Sequence, residues 1–298
     1  MITFWVIMHG RTFSDDEFGR IFTNGIRSWQ QLDPVPEIIV FGIADEHKDD
    51  CERLGLRFIE APKDEGGTIL VNQCVHLAET LATHRIKCYL CPDLLLGQDF
   101  INAVVFSAAF LPGFLLIGRR YDHEVPETLT FQNGDLNAIR LRAQREGNIE
   151  HGVVVSYLIY THNVWGEMPN FHASEGIFDN YMVWEAMRKG LPVIDITGLA
   201  TVVHQAHDRH YNVETAEKWN FYLKPPEMYF AGSHTTPFVT HYGMLEPQFT
   251  IDFAGNFLGV YDPLIKFDGK TDDGQTYNGR AYMVVKVDKE TGEKQNAL

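Results

Sequence analysis

Three histidines and an aspartate crowd into one short run, His204-Gln205-Ala206-His207-Asp208-Arg209-His210. Imidazole and carboxylate at that density suit a divalent metal. His204 and His207 are three residues apart, so they share one face only if the segment is helical; a hydrogen-bonded polar loop is the other account of the same residues. With three well-placed ligands and an open water position, the cluster would serve a zinc hydrolase. Elsewhere, polar residues close runs of β-forming apolar ones. His9 and Arg11 follow Ile2 to Met8, Asp45 follows Glu37 to Ile43, and Asp93 follows Ile86 to Cys91. Gly66-Gly67-Thr68 offers a flexible, donor-rich approach to a phosphate or sugar. Cys88 and Cys91 have CxxC spacing, but no second pair accompanies them, and Cys88-Tyr89-Leu90-Cys91 reads as a buried strand rather than a zinc knuckle or redox pair.

The elements that must position these groups alternate. Strand-like runs at Ile2 to Met8, Glu37 to Ile43, Leu56 to Ile59 and Ile86 to Cys91 are interleaved with helical patterns at Phe18 to Leu32 and Val71 to Thr83. A short helix runs through Asp49 to Leu54, with Asp45 as its cap. Phe114 to Gly118, Val153 to Tyr160 and Pro192 to Thr197 read as further strands. Asp179 to Lys189 reads as an amphipathic helix ended by Gly190. Such alternation predicts an α/β fold with a mostly parallel central sheet flanked by helices. In such sheets ligands bind beyond the carboxyl ends of the strands, which is where His9, Arg11, Asp45 and Asp93 fall. From about Tyr211, Gly, Pro, Tyr and Phe become frequent and helical periodicity stops. We therefore expect a unit over 1–210 and an irregular or β-rich extension over 211–298, ending in a frayed tail beyond Asp268.

Composition limits the function. The 298 residues are 45% hydrophobic and 22% charged, an ordinary globular balance. With 25 basic against 40 acidic side chains, the net charge of −15 argues against nucleic acid or an anionic membrane surface as partner. The four cysteines fit reduced intracellular thiols. No basic leader or long apolar stretch opens the chain, and the longest apolar runs break at Pro112 and Gly113, so a soluble, cytoplasmic protein with no transmembrane segment is expected.

Four ordered segments resemble metal-dependent, nucleotide-sugar glycosyltransferases of the GT-A fold, of the family-2-like bacterial and viral type. They are Gly67-Thr68-Ile69-Leu70-Val71-Asn72, Cys91-Pro92-Asp93-Leu94-Leu95-Leu96, Gly118-Arg119-Arg120-Tyr121-Asp122, and the block from Phe178-Asp179-Asn180-Tyr181 through Asp195-Ile196-Thr197 to His204-Gln205-Ala206-His207-Asp208. The resemblance covers about 1–210 and implies a GT-A fold. It places Asp93 in the acidic metal and nucleotide motif, with Cys91 where a first Asp often stands. A histidine after the last core strand, His204 or His207, then completes a Mn²⁺ or Mg²⁺ site. Asp45 corresponds to a base or ribose contact, while His9, Arg11, Thr68 and Asn72 lie on the nucleotide and donor side. Arg120 and Asp122 match an element that holds donor sugar or shapes the acceptor pocket; a loop-orienting ion pair accounts for them equally well. Asp179 is the implied general base of an inverting transfer, with Glu175 the alternative; a helix cap is Asp179's structural role. Trp165, Phe171, His172 and Trp184 fall in the acceptor half, where aromatic faces stack on sugars, although Trp184 has core spacing.

The activity implied is transfer of a sugar from a nucleoside-diphosphate donor to a hydroxyl of a glycan acceptor. A nucleotidyltransferase would need a basic, glycine-rich loop after its first strand, and only His9-Gly10-Arg11 is there. A catalytically degenerate carbohydrate-binding protein is the third account, suggested by the incomplete acidic motif. The extension beyond 210 would cover the acceptor site, form a homodimer contact or dock a partner.

Overall fold

The computed structural model describes residues 1–149, 155–161, 164–173, 178–189 and 191–207, and six strands between 249 and 296. In chain order the first elements are β1 (Ile2–Ile7), α1 (Asp16–Gln30), β2 (Glu37–Gly42), α2 (Ala44–Arg53), β3 (Arg57–Glu60), α3 (Val71–Leu81), β4 (Ile86–Leu90) and β5 (Leu94–Leu95). There follow α4 (Gln98–Phe110), β6 (Leu115–Ile117), β7 (Tyr121–His123), α5 (Asp135–Glu146), β8 (Asn148–Ile149), β9 (Tyr157–Tyr160), α6 (Phe178–Arg188), β10 (Val193–Asp195) and β11 (Val203–Gln205). The last strands are β12 (Phe249–Ile251), β13 (Phe257–Tyr261), β14 (Lys266–Lys270), β15 (Thr276–Arg280), β16 (Met283–Val287) and β17 (Lys294–Asn296).

The central sheet runs β3-β2-β1-β4-β9-β6-β10 and continues through β12, β13, β16 and β17. β1, β2, β3 and β4 pair in parallel, as do β6, β10 and β12, while β9 lies antiparallel between β4 and β6. This is the mixed α/β, mostly parallel architecture that the GT-A resemblance implies. β17 pairs with β16, so residues 294–296 are strand rather than the frayed tail expected from their charge and glycine content.

The strand sequences dictate the layers. β1 is buried throughout, and alternation sends Phe4 and Val6 to one face and Trp5 and Ile7 to the other. On the first face they meet α1 and α4, through residues such as Ile26, Trp29, Phe100 and Val104. On the second they meet α3 and α6, through Val71, Cys74, Met182 and Val183. The sheet is thus enclosed by helices on both sides.

One helix sets the height of the site. α1 buries Phe18, Ile21, Phe22, Ile26 and Trp29, a stripe at three- and four-residue spacing. Gly25 interrupts it, at a propensity cost of about 1 kcal/mol against alanine. A Cβ there would strike the Pro92 carbonyl, so glycine lets α1 lie directly against the Pro92-Asp93 turn. Trp29 Nε1, one turn further along α1, donates to Leu94 O at 2.9 Å and ties the helix to the same turn.

Beneath the turn lies a buried amide pair. Asn24 Nδ2 donates to Gln205 Oε1 and to Glu127 O, both at 3.0 Å, and its Oδ1 accepts the Leu129 N–H at 2.9 Å. Gln205 Nε2 donates to Ile21 O at 2.8 Å and to Asp93 O at 3.1 Å. Every group in this network has a partner, and removing one strands the others in a dry interior. Asn24→Ala is therefore expected to lower stability by about 2–4 kcal/mol, measured by denaturant unfolding; a loss below about 0.5 kcal/mol, the usual surface range, would show that the network does not hold the turn.

Candidate metal centre

Asp93 sits in the turn between β4 and β5, and its carboxylate meets two imidazoles. Its Oδ2 lies 3.2 Å from His204 Nε2 and 3.4 Å from His207 Nε2. The three ligand atoms all fall within 4.8 Å of one another. Two ligands held about 2.1 Å from one ion at tetrahedral or octahedral angles stand about 3.0–3.4 Å apart, so the two spacings from Asp93 match neighbouring positions around a single cation.

Pairing of distant segments creates the cluster. β11 runs antiparallel to β5, with His204 opposite Leu94, and parallel to β7, with His204 opposite Asp122. His204 therefore lies in a strand rather than in a helix that would align it with His207, and the run from Asp208 to His210 lies outside the described residues. His207 follows that strand, and its neighbour Ala206 donates to His123 O at 2.9 Å. Thr201 anchors the approach to β11: its N–H donates to Asp99 Oδ2 at 2.8 Å and its carbonyl accepts from Arg140 Nε at 3.2 Å, while Arg140 also pairs with Asp99.

The electrostatics favour charge on both partners. Burial would raise the Asp93 pKa, but the charge of His204, hydrogen bonds from His204 and His207, and Arg120 hold the carboxyl far below the ordinary carboxylate range. Burial likewise opposes charge on His204, yet Asp93 and Asp122 together raise its pKa. An imidazolium at His204 would donate from Nε2 to Asp93 and from Nδ1 to Asp122, and a cation at Nε2 would take the place of the first of these protons. Two of the buried polar atoms that have no hydrogen-bond partner belong to this cluster, Asp93 Oδ1 and His207 Nδ1. An unpaired carboxylate oxygen on a residue already facing two imidazoles fits the donor set of a metal. Two nitrogens and a carboxylate suit Mn²⁺ or Zn²⁺ better than Mg²⁺, which prefers oxygen.

Around this centre the structure gathers some of the sequence-predicted residues and leaves others apart. The Arg11 guanidinium lies 4.6 Å from the centre of the Phe18 ring, and that ring packs 4.9 Å from His207, so a cation stands beside the cluster. His47 holds the Arg11 loop: its Nε2–H donates to Arg11 O at 2.9 Å while Nδ1 accepts from the Ile43 N–H at 3.1 Å. His9 is exposed at the end of β1. α2 starts at Ala44 with Ile43 in the cap position, so Asp45 is not the cap expected from sequence but an exposed residue of the first turn. Asp122 and Arg120 bond to the cluster: Asp122 Oδ1 is 2.8 Å from His204 Nδ1 and 3.0 Å from Arg120 Nε.

Thr68 and Asn72 belong to a second polar group. Thr68 N donates to Asp64 Oδ1 at 2.8 Å, Asp64 Oδ2 pairs with His172 Nε2 at 3.0 Å, and Asn72 Nδ2 donates to Asn170 Oδ1 at 3.0 Å. Among the described residues, no hydrogen bond joins this group to Asp93, His204 or His207. Asp179 is buried in the first turn of α6, where its Oδ2 accepts the Val155 N–H at 3.0 Å. Phe178 packs on Tyr89 at 5.4 Å, which brings the start of α6 against the strand leading to Asp93. Glu175, Asp208, His210 and the Trp184 side chain lie outside the described residues. Trp165 is core, its Nε1 donating to Met182 O at 2.6 Å. Cys88 is buried in β4, and burial beside Asp93 pushes the Cys91 thiol up to about 12, so it stays a thiol rather than a metal-binding thiolate.

Sequence reading missed Phe18, Gln205, Asn24 and Ser156. None of the four carried a signal of its own, since Gln205 sits between His204 and His207 in a run already polar and the others lie in or beside apolar elements.

No family model matches this chain, and no curated protein does. Among solved structures, S. aureus TarS 1–349 is similar at 14% identity and TM-score 0.31, over 44% of this chain; the chain spans 40% of that structure's length. The same TarS fragment in complex with UDP-GlcNAc aligns at 10% identity and TM-score 0.28, over 44% of this chain and 38% of that one. A Bacillus anthracis structure described as a glucose-1-phosphate thymidylyltransferase with a sucrose gives 13% identity and TM-score 0.39, over 74% of this chain and 95% of that one. Likenesses of this size carry no function to the chain. Among the described residues, no helix is long and apolar enough to cross a membrane.

Proposed function

We propose that this chain is a metal-assisted transferase that takes a sugar from a nucleoside-diphosphate donor and places it on a hydroxyl of a glycan. The observation that carries the reading is the Asp93, His204 and His207 cluster at the carboxyl edge of a mostly parallel sheet, with the Arg11 guanidinium nearby. A divalent cation held there would neutralise the leaving diphosphate. In this reading Arg11 would supply further positive charge, Asp45 would contact base or ribose, and Asp179 would take the acceptor proton. The ordered resemblance to GT-A transferases supports the same assignment.

The reading is tested by incubating the purified chain with UDP-, GDP- and dTDP-sugars with and without Mn²⁺ and measuring release of nucleoside diphosphate. Mn²⁺-dependent release from one nucleotide class is expected, and His207→Ala should lower it at least about tenfold through weakened metal binding. Release that ignores both metal and this substitution would exclude the cluster from the reaction. The donor set itself favours one second reading, a zinc hydrolase, because two imidazoles and a carboxylate are a common zinc set. That reading predicts stoichiometric zinc in the purified protein and hydrolysis that needs no nucleotide.

A further inference from the structure

Arg120, Asp122 and Ser156 form a chain of contacts that closes on the metal cluster. β7 and β11 are parallel neighbours in register, so Asp122 stands beside His204. Asp122 Oδ1 takes the His204 Nδ1–H at 2.8 Å and the Arg120 Nε–H at 3.0 Å. Arg120 Nη1 donates to Ser156 Oγ, and Ser156 O accepts the Cys91 N–H at 3.0 Å, two residues before Asp93. The circuit thus returns to the turn that presents the first ligand. Arg120 is 4% exposed and Ser156 1%, so the guanidinium is spent on internal partners.

An imidazole has two nitrogens, and the partner of one decides what the other does. With Nδ1 fixed on a carboxylate, the His204 ring is held against rotation and Nε2 is aimed at Asp93. A donor-binding role would instead require Arg120 to face the pocket. We propose that Asp122, held by Arg120, which Ser156 anchors in turn, is a positioning residue that sets the orientation and tautomer of His204 for metal binding, rather than a ligand of the donor sugar. The proposal rests on the reading of Asp93, His204 and His207 as a cation site.

The test is Mn²⁺ binding to the full chain without nucleotide, followed by electron paramagnetic resonance of the free ion, for wild type, Asp122→Ala and Asp122→Asn. Nucleoside-diphosphate binding without metal is measured in parallel. Asp122→Ala should weaken Mn²⁺ by about 10–100-fold. Asp122→Asn, which keeps an oxygen for the Nδ1–H, should lose less, and nucleotide binding should stay unchanged in both. Equal Mn²⁺ affinity in wild type and both variants would overturn the positioning role, as would a loss confined to nucleotide binding. A wild-type chain that takes up no Mn²⁺ would overturn the cation site and the positioning role together. Should Asp122→Ala fail to fold, the near-isosteric Asn variant decides alone.

Discussion

Asp93→Asn is expected to abolish metal-dependent turnover of a nucleotide-sugar donor, by about a thousandfold or more, while the chain stays folded. Asp93 Oδ2 is the atom that both imidazoles face, at 3.2 and 3.4 Å. An amide in its place keeps the shape but removes the negative charge that pairs with a cation, and a metal's stabilisation of developing charge is worth several kcal/mol. At about 1.36 kcal/mol per decade, that sets the size of the loss. The effect on folding is smaller. The substitution weakens charge-assisted hydrogen bonds at about 1.5–3 kcal/mol each, whereas His204 keeps Asp122 and the turn keeps its backbone bonds from Gln205 and Trp29. Turnover and unfolding measured on the same preparation separate the two. Full turnover in the variant would remove Asp93 from the reaction.

The second large effect is expected at Asp179. Asp179→Asn should lower kcat by about 10²–10⁴-fold, the usual contribution of a general base, with the donor's Kd nearly unchanged. The reason for separating the two is geometric. Asp179 sits at the start of α6 beside the Tyr89 strand, and an Asn side chain still offers an oxygen to the Val155 N–H. The fold should therefore survive. Single-turnover transfer and donor titration measure the two quantities. Unchanged transfer would move the base to Glu175 or point to a retaining reaction.

How far the sequence led can be stated element by element. β1, β2 and β4 were legible because strands covered on both faces read as continuous apolar runs, and α1 because its apolar stripe is regular. α4 and α5 were not. α4 is apolar nearly all round and α5 buries only Ile139 and Ala143, so neither shows a clear one-sided period. The side chains of the cluster could be named from residue type alone: Asp93 after an apolar run, and His204 and His207 in a dense polar one. Their meeting could not be derived from spacing. It depends on β5, two residues long, and β11, three residues long, pairing across a separation of about a hundred positions, and such short strands leave no periodic signal. The polar support was equally hidden. Asn24 lies on an amphipathic helix and Gln205 in a histidine-rich run, and only the packed structure shows them bonded to each other.

The most direct test of the central claim is thermal and denaturant stability of the full chain against UDP, GDP, dTDP and their sugars, each with and without Mn²⁺. A ligand at a hundred times its Kd adds about 2.7 kcal/mol to the folded state. The account predicts a shift of that order with one nucleotide family, present only with Mn²⁺ and absent in Asp93→Asn. No shift with any nucleotide, together with a shift from zinc or a free glycan, would contradict it.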